Sequence, residues 1–119
     1  MSKFSVALID DDPQARDIFE MVMNHHNLSY LTFEDAESAV ATLEQQTMPD
    51  FVIIDIFLPG MDGYKTLSRL QQVSEQVRFV ATTAYYTTDT EQEIKERGFD
   101  GYLPKPLNPD RLIAYLETL

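Results

Sequence analysis

The chain has no cysteine among its 119 residues, and this absence excludes disulfide bonds and thiolate metal sites. A chain without cysteine fits a reducing compartment, so we expect a cytoplasmic protein. No apolar run is long enough to cross a membrane, and the start, Met1-Ser2-Lys3-Phe4-Ser5, lacks the regions of a signal peptide. We therefore expect no membrane contact.

Basic residues are also scarce. The chain has 9 Lys and Arg against 20 Asp and Glu, which gives a net charge of −11. Because the phosphates of a nucleic acid would be repelled, we expect no direct binding to nucleic acid. The hydrophobic fraction of 44% is typical of a globular protein, and the length predicts one domain over residues 1–119.

Strand-like and helix-like segments alternate five times along the chain. The predicted strands are Val6–Ile9, Ser29–Phe33, Phe51–Asp55, Val77–Thr82 and Gly101–Leu103. Between them, apolar residues recur at the three- and four-residue spacing of helices. Unbroken apolar strands are typical of parallel sheets that are buried on both faces. With right-handed crossovers, this pattern predicts an α/β fold whose parallel sheet has helices on both sides.

Local signals mark the ends of the predicted helices. Asp12, followed by Pro13, is expected to be the N-cap of the first helix. Gly98 is expected to end the fourth helix. The other helices are predicted to begin near Asp35, after Gly63, at the capping-box pattern Thr88-Asp89-Thr90-Glu91, and at Asn108-Pro109.

Carboxylates end two of the apolar runs. Asp10 and Asp11 follow the first predicted strand, and Asp55 ends the third. Ligands of such sheets bind beyond the carboxyl ends of the strands, so we expect these acids to meet at one edge. Adjacent carboxylates repel one another and require a divalent cation together with a further positive charge. Lys105, which follows the fifth predicted strand, is the candidate for that second charge.

These motifs, in this order, resemble the response-regulator receiver domains of two-component signalling, of the chemotaxis-regulator kind. The resemblance covers nearly the whole chain. It implies a flavodoxin-like (βα)5 fold with a doubly wound, parallel five-stranded sheet of order 2-1-3-4-5. The matching pieces are Asp10-Asp11, the loop Asp55-Ile56-Phe57-Leu58-Pro59-Gly60-Met61-Asp62-Gly63, Thr83-Ala84, Tyr102 and Lys105-Pro106.

The resemblance implies a phosphoryl acceptor and a metal site. Asp55 would accept the phosphoryl group from a phosphohistidine. Asp11 and Asp55 would bind Mg²⁺ directly, together with the backbone carbonyl of Phe57. Asp10 would act mainly through a coordinated water. Mg²⁺ suits such a site because it prefers oxygen ligands and keeps several waters.

The resemblance also implies the groups that respond to the phosphoryl group. Lys105, the Thr83 hydroxyl and the Ala84 backbone N–H would bind its oxygens. Movement of Thr83 would let Tyr102 turn inward, and this would change the surface made by the fourth helix, fifth strand and fifth helix. That transition is a shift between two existing states.

The partners that the resemblance implies are a sensor histidine kinase or a histidine phosphotransfer protein, and a downstream protein target at the switching surface. A homodimer that forms on phosphorylation is a further expectation. The chain would not be an enzyme, since it would catalyse only its own phosphorylation and a slow dephosphorylation. Nothing after the fifth helix resembles an output module, so the chain is either a stand-alone receiver or one cut from a larger regulator or hybrid kinase.

Two aromatic residues distinguish this sequence beside the expected site. Phe57 lies two residues after Asp55, and Tyr85 lies two residues after Thr83. Both side chains are expected to border the face from which water attacks an acyl phosphate. Neither carries an amide or carboxylate that could orient the water. We therefore expect a long-lived phosphorylated form.

Two other classes of function remain open at this point. A haloacid-dehalogenase-type enzyme would use Asp10 as its nucleophile, but Gln14 stands where that motif has Thr or Val. A flavodoxin-like carrier would need a phosphate-binding loop after the first strand, where this chain has Asp10, Asp11 and Asp12. A pseudo-receiver that serves only for docking would lack part of the set of acids, Thr and Lys, which is complete here. His25 and His26 are interpreted as a solvated helix end. Thr82 is interpreted as a packing residue, and Asp50 and Asp62 as turn residues.

Overall fold

Five parallel strands alternate with five helices in the computed structural model, which describes residues 3–85 and 87–119. The strands are β1 (Ser5–Ile9), β2 (Ser29–Phe33), β3 (Phe51–Asp55), β4 (Arg78–Thr83) and β5 (Gly101–Pro104). The helices are α1 (Pro13–His25), α2 (Ala36–Leu43), α3 (Gly63–Gln71), α4 (Thr88–Glu96) and α5 (Leu112–Glu117).

The strands form one sheet in the order β2-β1-β3-β4-β5, with every pair parallel. This confirms the predicted fold and strand order. β1 and β3 are neighbours, with Ile9 opposite Ile54. The chain therefore reverses its winding direction between these two strands, and ligand sites of doubly wound sheets lie at such a point.

Each face of the sheet carries its own apolar core. On β1, Ala7 and Ile9 point into the core beneath α2, α3 and α4, whereas Val6 and Leu8 point into the core beneath α1 and α5. All four side chains are fully buried. A strand that is buried on both faces needs apolar residues at every position, which explains the unbroken apolar runs. The carboxylates that follow these runs are thereby held at the sheet edge.

The N-caps of three helices are aspartates. Asp12 and Asp35 cap α1 and α2 as predicted, and their side chains accept from the N–H groups of Gln14 and Ser38. Asp62 was expected to be a turn residue only, but its side chain accepts from the N–H of Lys65 and caps α3.

The predicted capping box at the start of α4 is wrong by one residue. Thr87, and not Thr88, is the N-cap, and its hydroxyl accepts from the N–H of Thr90. The reciprocal position is therefore occupied by Thr90, which lacks the carboxylate or amide of a capping box. The predicted end of α4 is confirmed, since Gly98 has a φ of +106° that favours glycine.

Other boundaries also differ from the prediction, since β1 begins one residue earlier at Ser5, β4 begins one residue later at Arg78, and β5 ends one residue later at Pro104. β4 runs one residue further and includes Thr83, because Thr83 pairs with Pro104 of β5. α5 begins at Leu112, three residues after the predicted start at Asn108-Pro109. The Asn108 side chain accepts from the N–H of Asp110 and its carbonyl accepts from that of Arg111, so a turn precedes the helix. No described helix combines the length and apolarity needed to cross a membrane.

Candidate functional site

Three carboxylates converge at the carboxyl ends of β1 and β3. One carboxylate oxygen from each of Asp10, Asp11 and Asp55 lies within 4.8 Å of the other two. Asp10 and Asp55 are buried, whereas Asp11 is exposed. The convergence predicted from the strand ends is therefore present in the structure.

Lys105 joins these acids from the end of β5. Its Nζ atom lies 2.9 Å from Oδ2 of Asp55 and 2.9 Å from each carboxylate oxygen of Asp10. The backbone holds the lysine in place, because its N–H donates to the Thr83 carbonyl at 3.0 Å. The following peptide bond, Lys105–Pro106, is cis. Lys105 was expected to balance the charge of the acids, and in the structure it contacts both Asp55 and Asp10.

Backbone N–H groups orient two of the carboxylates. The N–H of Phe57 donates to Oδ1 of Asp55 at 2.9 Å, and that of Asp12 donates to Oδ1 of Asp10 at 3.0 Å. Oδ2 of Asp10 is buried, and no donor in the described part of the chain makes a hydrogen bond to it, although it is close to the Lys105 ammonium. The ammonium offsets the charge on this oxygen, which keeps a lone pair for a further ligand.

The closeness of the acids and Lys105 shifts the pKa values of Asp10 and Lys105. Burial raises the pKa of Asp10 to about 6, although hydrogen bonds from Asp12 and Lys105 oppose the rise and the charge of Asp55 adds to it. Burial lowers the pKa of Lys105, but its hydrogen bonds with Asp10 and Asp55 outweigh that effect and raise it overall. One ammonium thus serves two carboxylates.

The pocket formed by Asp10, Asp11 and Asp55, called the acidic pocket below, suits a divalent metal ion. Three carboxylates face one ammonium, so the fully ionised group keeps an excess negative charge. The donors are all oxygens, and Oδ2 of Asp10 has a lone pair to offer. Hard divalent cations prefer such donors. The residues present therefore fit a metal ion of the Mg²⁺ type.

A glycine at the start of α3 lets this helix approach the end of β3. A Cβ atom at Gly63 would lie 2.5 Å from Cα of Ile56 and 2.8 Å from the carbonyl oxygen of Asp55. Both contacts are with backbone, which cannot move aside. The Gly63 N–H also donates to the Ile56 carbonyl at 3.3 Å. Only glycine fits here, and the close approach fixes the backbone that carries Asp55.

The residues expected to bind a phosphoryl group lie at the end of β4. Thr83 is buried, and its hydroxyl oxygen accepts from the Tyr85 N–H at 3.0 Å. Ala84 follows it at the surface. Thr82, the expected packing residue, is fully buried one position earlier.

Tyr102 is half-buried on β5. It packs against the core beneath α2, α3 and α4. Burial, and then the charge of Glu91 on α4, raise the pKa of its hydroxyl. Its backbone N–H donates to the Tyr115 hydroxyl at 2.7 Å. The residue thus bonds to α5 and is influenced by the charge of α4, the two helices of the surface expected to switch.

Two exposed aromatic rings meet above the end of the sheet. Phe57 is 57% exposed and Tyr85 is 72% exposed, which is high for large rings. Their ring centroids lie 5.4 Å apart in an edge-to-face arrangement. The sequence analysis placed both beside the site, but it did not foresee that they touch.

Other candidate residues lie outside the acidic pocket. His25 and His26 are exposed at the end of α1, as expected for a solvated helix end. The sequence analysis missed Arg16, whose guanidinium Nη1 donates to the Asp10 carbonyl at 2.9 Å. The available signal was a cationic residue one helical turn after the N-cap Asp12, on the helix that directly follows the acids.

Comparisons with known proteins agree with this geometry. The family model described as the response regulator receiver domain matches residues 6–117. Sporulation initiation phosphotransferase F of Bacillus subtilis is 32% identical over 113 residues, which cover 94% of this chain and 90% of that protein. The beryllofluoride-activated receiver domain of nitrogen regulatory protein C is 31% identical with a TM-score of 0.83, over 99% of this chain and 94% of that one.

The chain belongs to the response-regulator receiver family and is a receiver domain of two-component signalling. It also matches the DNA-binding transcriptional regulator NtrC of Salmonella typhimurium, at 32% identity over 98% of this chain. The chain spans only about a quarter of that regulator, since the match covers 25% of its length. Receiver domains of this kind are phosphorylated by histidine kinases.

Proposed function

We propose that Asp55 accepts a phosphoryl group from the phosphohistidine of a sensor histidine kinase or a histidine phosphotransfer protein. The observation that carries this proposal is the position of Lys105, whose Nζ lies 2.9 Å from both Asp55 and Asp10 at the switch point of the sheet. An acid nucleophile beside a fixed cation is what phosphoryl transfer requires, since most of its catalysis is positioning and charge stabilisation.

The transfer forms one bond and breaks another. A carboxylate oxygen of Asp55 attacks phosphorus, and the phosphorus–nitrogen bond to the donor imidazole breaks with its electron pair going to that nitrogen. The product is an acyl phosphate on Asp55. Lys105, freed from its bond to Oδ2 of Asp55, can then pair with a phosphoryl oxygen.

The acidic pocket holds Mg²⁺ in this proposal. Asp11, Asp55 and the Phe57 carbonyl are its direct protein ligands, and Asp10 acts mainly through a water. When bound, Mg²⁺ offsets the negative charge that develops on the transferring phosphoryl oxygens. The buried Oδ2 of Asp10 supports this assignment because, beside its contact with Lys105, it can accept one more hydrogen bond.

The switch follows from the hydrogen bond at Thr83. Its hydroxyl oxygen accepts from the Tyr85 N–H, and the hydroxyl must turn to donate to a phosphoryl oxygen, with the Ala84 N–H as a second donor. The space that Thr83 leaves lets Tyr102 move, which changes the surface of α4, β5 and α5. A downstream protein binds there, and the same surface can join two phosphorylated copies. The chain acts as a phosphoacceptor and not as an enzyme on other substrates.

The exposed pair Phe57 and Tyr85 makes the phosphorylated form long-lived. Their rings meet at 5.4 Å, and their backbone N–H groups donate to Asp55 and Thr83, so the rings obstruct the approach of a water in line with the acyl phosphate bond. Neither ring carries an amide or carboxylate that could orient or activate that water. Slow decay suits a relay intermediate or a sustained signal.

Incubation with Mg²⁺ and acetyl phosphate tests the proposal. Intact mass should show one added phosphoryl group, which is lost in Asp55→Asn and in the presence of a chelator. Asp50→Asn, a matched change at the opposite end of the sheet, should keep the modification.

The decay of the phosphorylated form should be slow. Tyr85→Ala should accelerate this decay, whereas Met21→Ala, a change at an exposed residue of α1, should not. Decay within seconds would contradict the role of the two rings.

The same experiment distinguishes the other classes of function. A dehalogenase-type enzyme would carry the phosphoryl group on Asp10, so Asp10→Asn and not Asp55→Asn would abolish it. The full burial of Asp10 weighs against that reading. A folded protein that binds Mg²⁺ but takes no phosphoryl group would instead be a docking module.

A further inference from the structure

One cation near the acidic pocket has no part in the proposed chemistry. Arg16 lies on α1, and its guanidinium folds back to the end of β1, where Nη1 donates to the carbonyl of Asp10 at 2.9 Å. Nη2 lies 3.7 Å from the carboxylate of Glu34, just after β2. The Arg16 side chain is only 21% exposed, whereas that of Glu34 is 73% exposed. The guanidinium thus connects the ends of two strands to the first turns of α1.

The bond to Asp10 restrains the peptide that links the two acids. The carbonyl of Asp10 belongs to the same peptide unit as the N–H of Asp11, so a donor on that oxygen limits rotation of the peptide plane from whose two ends the side chains project. Around this peptide, the N–H of Asp10 donates to the Phe33 carbonyl at 3.0 Å, the N–H of Asp12 donates to the Asp10 carboxylate at 3.0 Å, and Lys105 holds the same carboxylate. Arg16 adds the single side-chain restraint seen on this peptide among the described residues, and it is a charged donor, which is the stronger kind.

The charge of Arg16 works against metal binding. A positive group beside the acidic pocket repels a divalent cation, so Coulomb's law alone predicts that its removal would tighten Mg²⁺ binding. A role in positioning predicts the opposite sign, because looser acids would lose affinity. The two explanations can therefore be separated by the direction of one measured change.

We propose that Arg16 is a positioning residue for the acidic pocket, which holds the Asp10–Asp11 peptide in the orientation that metal binding needs. This inference rests on the proposed Mg²⁺ site. Groups that support ligands from outside the coordination sphere commonly change metal affinity by about tenfold or more when removed.

Calorimetric titration of Mg²⁺ into the wild-type chain, Arg16→Gln and Arg16→Lys tests the inference. Arg16→Gln should bind Mg²⁺ about tenfold more weakly. Arg16→Lys keeps the charge but loses the planar fork, so its affinity should lie between those of the wild type and Arg16→Gln. Arg69→Gln, which removes an exposed cation that pairs with Glu44 on another surface, should bind as the wild type does. Equal or tighter binding by Arg16→Gln would overturn the inference.

Amide hydrogen exchange without metal gives an independent decision. In Arg16→Gln, or in Arg16→Lys if the first variant does not fold, the N–H groups of Asp10 and Asp12 should exchange faster, while that of Ile53 in the core should not. Unchanged exchange at both positions would overturn the inference. Faster exchange throughout the protein would show that Arg16 only stabilises the fold in general, and this result would overturn the inference as well. Failure of the wild type to bind Mg²⁺ would reject the proposed metal site, and the exchange result would still decide whether Arg16 restrains this peptide.

Discussion

The two ends of the sheet both carry aspartates, but they use them differently. At the amino end, the Asp50 carboxylate accepts from the Ser5 N–H at 2.9 Å, and that of Asp100 accepts from the Phe79 N–H at 2.9 Å. At the carboxyl end, Asp10 and Asp55 share one ammonium with Asp11 close by. Aspartate thus accepts backbone hydrogen bonds at one end of the sheet, whereas at the other end its negative charge exceeds the positive charge nearby.

The difference lies in what each carboxylate meets. At the amino end each one meets a backbone N–H, which satisfies it without another charge, so the acid contributes to folding alone. At the carboxyl end the acids meet one another, and this arrangement is unfavourable until a cation joins them. The folded state is thereby less stable at the end of the sheet where chemistry is proposed.

The largest effect is expected from Lys105→Met. Loss of the ammonium leaves Asp10 and Asp55 as buried carboxylates without a cation, and breaking a buried pair in this way costs about 3 kcal/mol. Urea denaturation at pH 8 in a chelator should show this loss, and added Mg²⁺ should restore part of it. Lys95→Met, at an exposed position of α4, should stay within about 0.5 kcal/mol of the wild type. Equal losses in the two variants would remove the contrast between the ends of the sheet.

Asp10→Asn should stabilise the metal-free protein at pH 8. Burial raises the folded-state pKa of Asp10 to about 6, above its unfolded value, so its contribution to stability is complete below the unfolded pKa and is lost as the pH rises through about 6. Asparagine cannot ionise and avoids this loss, which amounts to at most about 3 kcal/mol. Denaturation curves at pH 8 and pH 5 should show an advantage for the variant that shrinks at the lower pH. An advantage independent of pH would contradict this explanation.

Asp100→Ala should destabilise the amino end without touching the acidic pocket. It leaves the Phe79 N–H without its 2.9 Å acceptor, at a cost of about 1.5 kcal/mol. Calorimetry should find an Mg²⁺ affinity equal to that of the wild type. Asp17→Ala, at an exposed position of α1, is the control and should change neither quantity. A changed Mg²⁺ affinity in Asp100→Ala would show that the two ends are coupled.

The smallest effect separates two neighbouring aspartates at the carboxyl end. Asp12 accepts from the Gln14 N–H and caps α1, so Asp12→Ala should cost about 1 kcal/mol of stability and leave Mg²⁺ affinity close to that of the wild type. Asp11→Ala should do the reverse, with little loss of stability and most of the affinity gone. Calorimetry and denaturation of both variants would check this, and a large loss of affinity in Asp12→Ala would place that residue in the pocket.

Features that depend on neighbours along the chain were predictable. The N-cap roles of Asp12 and Asp35 follow from short-range hydrogen bonds to the next turn. The apolar runs before Asp10 and Asp55 identified strands buried on both faces, and the order of the elements then implied a shared edge for the acids.

Features that depend on distant parts of the chain were not predictable. The extension of β4 to Thr83 comes from its pairing with Pro104. The turn at Asn108 was missed for a local reason, since its side chain bonds to the Asp110 N–H two residues on and this bond competes with a helix start. The contact of Arg16 with the Asp10 carbonyl needs the packing angle of α1 on the sheet.

The amino-acid sequence by itself determined the alternation of strands and helices, the acids at the strand ends and the helix caps, since each of these depends on residues a few positions apart. Only the tertiary structure decided that Lys105 reaches both Asp10 and Asp55, 95 and 50 residues away, and that the rings of Phe57 and Tyr85 meet. Such contacts depend on sheet order, twist and helix packing, which arise from the summed burial of the whole core and not from any local pattern.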